Sequence, residues 1–203
     1  MNWTIGIVTD GSQDERLQIV LDSIYKAASL TEDAYEVIVC GNTRIQTCKV
    51  IPFDESVKPG WITRKKNLIA HFAKYKNLVL MHDYIAFDEG WFAGWHRFGP
   101  DVPWDVCMTP MVNSDGTRFR DWVLWPPRPI PYEDWTQTKN QYISGAYYTI
   151  RKAYALANSL DEKLGHCEGE DVEMSLRLRD TWDYKCNKHS TVKLLKYKDT
   201  HFR

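Results

Sequence analysis

No apolar run in the 203-residue chain approaches the roughly 18 residues that would span a bilayer, so no transmembrane segment is expected. Charge excess is absent as well: 26 Lys plus Arg stand against 27 Asp plus Glu, a formal net charge of −1. That balance argues against a strongly basic nucleic-acid binder and an acidic tail. Cysteine is sparse and unpaired by spacing. Cys40, Cys48, Cys107, Cys167 and Cys186 are dispersed, with no CxxC among them. This disfavours a disulfide framework and a structural zinc, and fits a reducing compartment. Met1-Asn2-Trp3-Thr4 runs straight into a strand-like segment, with neither a basic region nor an apolar stretch before it. No secretory signal is read there, and a cytoplasmic location is expected. The Walker-type phosphate loop and the GxGxxG dinucleotide fingerprint are both missing. No internal repeat or low-complexity segment occurs.

What the chain does have is an ordinary globular composition, 43% apolar and 26% charged, at a length that predicts one domain. Nine tryptophans are many for this length, and most lie between Trp91 and Trp135. About half are expected in the core; the others offer planar faces that stack on sugars or bases. Hydrophobic periodicity predicts strands at Trp3 to Thr9, Tyr35 to Cys40, Thr47 to Phe53 and Asn77 to Met81, with amphipathic helices from Asp14 to Ser29 and from Ile62 to Tyr75. This β-α-β-β-α-β order implies an α/β fold with a mostly parallel central sheet flanked by helices. In such sheets ligands sit at the carboxyl ends of the strands, where Thr9, Asp10, Asn42, His82 and Asp83 fall. Further on, a helix is expected at Asp88 to Phe98 and strands at Trp104 to Thr109 and Ile143 to Ile150. Helices at Arg151 to Ser159 and Gly169 to Asp180 follow, then short strands at Tyr184 to Asn187 and Thr191 to Leu195. Between them, Asn113 to Gln141 is too rich in large aromatics for a linker and reads as a long functional loop or hairpin.

Four features could carry chemistry. Asp83 stands just past a buried strand, where it either caps a turn or binds a hard divalent cation that neutralises a diphosphate. Glu170 and Asp171 open a helix, where acidic residues complement the macrodipole but one could also serve as a general base. Thr63-Arg64-Lys65-Lys66-Asn67 crowds three cations at a helix start, an unfavourable place that suggests a ligand. His201, three residues from the chain end, gains interest only if the tail folds back onto a cation.

In this order the motifs resemble those of a GT-A fold nucleotide-sugar glycosyltransferase of the family 2 type. Ile7-Val8-Thr9-Asp10-Gly11 resembles the nucleoside-contacting turn after the first strand, and Asn42 is the nearest polar equivalent of the acidic residue after the second. Gly60 through Lys65-Lys66-Asn67 resembles the family's Gly, spacer and Ala-Arg-Asn element, with Lys for Arg. Met81-His82-Asp83 matches the Asp-x-Asp motif without its first Asp. Ile143-Ser144-Gly145-Ala146-Tyr147 resembles the Gly-rich acceptor-side strand, Gly169-Glu170-Asp171 the Glu-Asp helix motif, and Thr200-His201 the closing metal-ligating His.

The resemblance implies one GT-A domain over 1–203, with a nucleotide-sugar-binding half (1–87) and an acceptor-side half with a tail (88–203). It implies a UDP-sugar donor bound by Thr9, Asp10, Gly11, Asn42, Lys65, Lys66, Asn67, His82, Asp83, Gly145, Lys196 and Lys198. Mn²⁺ or Mg²⁺ would sit on Asp83 and His201. Asp171, with Glu170 beside it, would deprotonate a carbohydrate or other hydroxyl acceptor that attacks with inversion. Trp122, Trp125 and Trp135 would stack on the sugars. A monomer or weak homodimer is expected. Two other classes stay open: a sugar-1-phosphate nucleotidyltransferase, for which Thr9 to Gln13 lacks the Gly-rich loop, and a non-catalytic carbohydrate-binding module, which would explain the tryptophans.

Overall fold

The computed structural model describes residues 1–124 and 128–199. Trp125 and His201 therefore lie outside the described residues. β1 (Asn2–Val8), β2 (Ala34–Cys40), β3 (Lys49–Ile51) and β4 (Asn77–His82) run parallel to one another, with α1 (Asp14–Ala28) and α2 (Ile62–Phe72) as their crossovers. This half follows the expected element order. After β5 (Ile85–Phe87), α3 (Trp91–Phe98), β6 (Val106–Met108) and β7 (Met111–Val112), the long segment forms a short hairpin of β8 (Val123–Leu124) and β9 (Arg128–Pro129). Then come β10 (Tyr147–Arg151), α4 (Lys152–Ala157), α5 (Glu170–Leu178), β11 (Tyr184–Cys186) and β12 (Val192–Leu194).

Among the described residues the main sheet has seven strands in the order β11-β6-β10-β4-β1-β2-β3. β10 runs antiparallel to both β4 and β6, so one reversed strand interrupts the parallel set. It begins four residues later than expected, because Ile143 to Ala146 form a turn at the sheet's functional edge. A smaller sheet, β5-β12-β7, brings the end of the described chain beside the residues following β4.

The long segment is pinned from inside. The buried Asp121 accepts hydrogen bonds from the Met111 and Trp122 amides, Arg118 Nε and the Tyr132 hydroxyl at 2.7–2.9 Å. Tryptophan goes largely to packing. Trp3, Trp91, Trp95 and Trp104 form one buried cluster with ring centroids 4.7–6.5 Å apart. Trp122 and Trp182 are also buried, each against Tyr184. Such ring pairs add about 0.5–1.5 kcal/mol each beyond the apolar area they bury.

Candidate active site

The carboxyl ends of β1 and β4 open into a cleft of about 500 Å³, lined by Thr9, Asp10, Ser12, Arg16, Lys65, His82, Asp83 and Tyr84, with Glu55, His166 and Lys196. Gly11 lets the loops after β1 and β2 meet. Its φ is +82°, and a Cβ there would lie 2.0 Å from the Asn42 carbonyl oxygen, so only glycine fits. Asn42 itself is exposed and abuts this turn without lining the cleft. Ser12 donates to Asp10 through both its amide and its hydroxyl, which holds the Asp10 carboxyl below its ordinary range.

Asp83 is buried at the cleft floor. Its Oδ2 accepts from Thr9 Oγ1 at 2.7 Å and its Oδ1 from Arg16 Nη2 at 2.9 Å. Lys65 Nζ pairs with Glu55 and donates to the Thr9 carbonyl at 2.7 Å. His82 is pushed well below the usual imidazole range, first by desolvation and then by Lys66 and Lys198, so it is neutral at the cleft. Tyr84 lies under the chain that follows β12. The Leu195 amide donates to the Tyr84 carbonyl at 2.9 Å, and Lys198 Nζ donates to its hydroxyl at 2.7 Å. Burial pushes the Tyr84 phenol up; the carboxylates felt there are Asp83, Glu170 and Asp171.

The second acidic element is built on the turn before β10. The Gly145 amide donates to Asp171 Oδ2 at 2.8 Å, and a Cβ on Gly145 would come within 2.5 Å of Glu170 Oε1. Asp171 is partly exposed at the start of α5, whereas Glu170 is buried with Lys66 Nζ at 3.7 Å. Lys66 also donates to the Gly145 carbonyl at 2.7 Å. A second cavity, about 560 Å³, runs along α5 and is lined by Tyr142, Val172 and Ser175 among others.

No family model matches the sequence, and no curated protein is similar to it. Solved structures are. TarS 1–349 of S. aureus superposes with a TM-score of 0.67 at 12% identity, over 94% of this chain and 60% of that one. The same protein in complex with UDP-GlcNAc matches at 0.67 and 12%, over 100% of this chain and 61% of that one. GalNAc-T7 with UDP, GalNAc and Mn²⁺ matches at 0.67 and 14%, over 98% of this chain and 44% of that one. This chain has the GT-A glycosyltransferase fold. It spans well under two thirds of the length of these neighbours.

Within the GT-A frame several expected site residues are placed at the cleft: Thr9, Asp10, Lys65, His82, Asp83 and Lys196 line it, and Lys198 stands behind Tyr84. Others need correction. Lys66 is fully buried and tied to Gly145 and Glu170, so it cannot reach a phosphate. Asn67 is bonded to Leu160 and Glu162 and braces that segment against α2. Gly145 shapes the acidic turn instead of touching a nucleotide. Trp122 has no exposed face for a sugar, being packed on Tyr184 with its Nε1 donating to the Asp134 carbonyl. Trp135 is partly exposed but lies against Phe98 and Lys185, away from both cavities. With Trp3, Trp91, Trp95, Trp104, Trp122 and Trp182 buried in packing, the tryptophan count by itself no longer favours the carbohydrate-binding-module reading.

Arg16, Glu55, Tyr84 and His166 were missed. Arg16 sits on the polar face of an amphipathic helix and carries no local signal; Tyr84 adjoined a motif residue but is not a type that binds metal.

The GT-A frame and the sequence together imply Mn²⁺ or Mg²⁺ on Asp83. The residues around Asp83 do not fit that ion. Each carboxylate oxygen already accepts a hydrogen bond, one of them from a guanidinium, and the next residue is Tyr84 with a lysine on its hydroxyl; no group of three Asp, Glu, His or Cys side chains converges among the described residues, which do not include His201. A divalent cation at Asp83 would lie against the Arg16 guanidinium. Two unit charges about 4 Å apart repel by about 4 kcal/mol in a partly screened protein environment, and a divalent ion doubles that.

Proposed function

We propose that this chain transfers a sugar from a UDP-sugar to a hydroxyl group of a carbohydrate-type acceptor, with inversion, and that Asp171 is the base. The observation that carries the reading is the pairing of two sites on one sheet edge. A cleft lined by Arg16, Lys65 and Lys196 and by Asp10, Glu55 and Asp83 stands at the ends of β1 and β4, and beside it a partly exposed carboxylate is oriented by the Gly145 amide. The GT-A fold, and neighbours bearing UDP or UDP-GlcNAc, support the donor class.

The chemistry follows from that layout. The diphosphate lies in the cleft, with Thr9, Asp10 and Ser12 on the nucleoside side. Asp171 takes the acceptor's hydroxyl proton. The freed oxygen attacks the anomeric carbon from the face opposite the diphosphate, and the C–O bond to the β-phosphate breaks with its electron pair leaving on UDP. The Gly145 amide fixes the Asp171 carboxylate before the proton moves, so no reorientation is needed during the step. The cavity along α5, whose lining starts at Val172, the residue after Asp171, is the space for the acceptor.

A donor-hydrolysis screen of nucleotide sugars tests the class: turnover of one UDP-sugar is expected, and binding of none would sink the reading. Asp171→Asn keeps the side-chain shape but cannot accept the proton. It should lower transfer at least about 10²-fold while calorimetric UDP binding stays unchanged; transfer at the normal rate would remove Asp171 from the mechanism.

A further inference from the structure

Neutralising a departing diphosphate needs positive charge held close to it, and a GT-A site has two ways to hold it: a divalent ion on carboxylates or a set of side-chain cations. The donor set here is wrong for the first and built for the second. Asp83, the one buried carboxylate at the end of β4, gives one oxygen to Thr9 and the other to Arg16. Arg16 Nε also donates to the Asp83 carbonyl at 3.3 Å, so the guanidinium grips both the backbone and the side chain of that residue.

The position after Asp83 is Tyr84, whose ring has Arg16 6.0 Å from its centroid and Lys198 4.6 Å away. Its hydroxyl accepts from Lys198 Nζ. Lys198 is not a loose surface lysine. Its amide donates to Asn113 Oδ1 and its carbonyl accepts from Asn113 Nδ2, both at 3.0 Å, and Asn113 is buried. The segment that carries it is hydrogen-bonded at Leu195 to the Tyr84 carbonyl, which holds Lys196 at the cleft wall. Lys65 pairs with Glu55 and Arg16 with Asp83, whereas Lys196 has no carboxylate partner among the described ion pairs.

We propose that Arg16 and Lys196, which line the cleft, together with Lys198 on the Tyr84 hydroxyl at its edge, neutralise the donor's diphosphate in place of a divalent metal ion. This rests on the UDP-sugar reading above. In the transfer step the three cations donate N–H hydrogen bonds to phosphate oxygens as the C–O electron pair moves onto the β-phosphate. They lose no proton, and the only proton transferred goes from acceptor to Asp171. Charge-assisted hydrogen bonds of this kind are the strong ones in proteins, and Arg matches phosphate geometry in particular.

Calorimetric titration of UDP into the full chain tests this, in Mn²⁺ and in excess chelator. The affinities should agree within about twofold. Lys196→Met and Lys198→Met keep the aliphatic stems, and each should weaken UDP at least about tenfold while leaving uridine binding and the melting temperature nearly unchanged. Arg16→Gln should do the same, with the lysine variants as the safeguard should loss of the Asp83 partner unsettle the fold. UDP binding that is at least tenfold tighter with Mn²⁺ and is reversed by chelator would overturn the proposal while leaving the donor reading intact. Wild-type affinity in both lysine variants would overturn it too. UDP that binds under neither condition would overturn the donor reading and this inference together.

Discussion

Gly145 gives its amide proton to Asp171, and its missing side chain leaves room for Glu170. A methyl group there would meet Glu170 Oε1 at 2.5 Å and Asp171 Oδ2 at 3.1 Å, so one or both carboxylates must move. Gly145→Ala should therefore lower transfer at least about tenfold, since a misplacement of about 1 Å can cost 10²-fold, while UDP affinity stays near wild type. Steady-state kinetics beside calorimetry separates the two; a parallel loss of UDP binding would make Gly145 a donor-side residue after all. At this scale the sequence was informative where a polar residue's place is fixed by the end of a buried strand, as with Thr9, Asp10 and Asp83. It was silent on Arg16, because an arginine on the polar face of a helix is indistinguishable from a solvated one until β4 is known to end beneath it. It misassigned Trp122, because stacking on a sugar and packing in a core ask for the same side chain.

Helix α2 begins with three cations and no acidic residue in its first turn, against the preference set by the helix dipole. The structure supplies tertiary reasons for each. Arg64 pairs with Glu162, Lys65 with Glu55, and Lys66 passes beneath the sheet edge to Gly145 and Glu170. The sequence flagged the anomaly but attributed it to a ligand, since the partners of Arg64 and Lys66 lie far along the chain and leave no local trace. Removing one member of a buried pair strands the other, typically at 3–5 kcal/mol. Lys66→Met should cost about 3 kcal/mol in denaturant unfolding, and adding Glu170→Gln should recover a good part of it. A double variant no more stable than the single would show that Lys66 acts through the Gly145 carbonyl alone. Short elements were the least legible: β5 and β7 have three and two residues, too few for any period to register. The reversal of β10 is set by its neighbours β4 and β6, not by its own apolar run.

At the scale of the whole molecule, His82 is one group that makes stability depend on pH. His82 has its pKa depressed well below the ordinary 6.5 by desolvation and by Lys66 and Lys198. The unfolded chain therefore binds a proton there that the folded chain refuses. The stability this contributes is fully present above pH 6.5 and is lost as pH falls below it, by at most about 1.4 kcal/mol per pH unit. Chemical denaturation from pH 7.5 down to 5 should show the decline, and His82→Gln should flatten it; an equal slope in that variant would assign the dependence to other groups. The parallel half of the sheet was readable as a whole because the apolar runs of β1, β2 and β4 are separated by two amphipathic helices, with only the short β3 added between β2 and α2. The cleft's far wall was not, because it arrives from β12 and the residues after it. That arrival has a consequence in time. During synthesis the strand ends bearing Thr9 and Asp83 emerge from the ribosome more than a hundred residues before Lys196 and Lys198. The nascent chain can thus close its central parallel sheet while the place for a diphosphate still lacks two of its three cations, so donor capture waits on the last stretch of the described chain to be made.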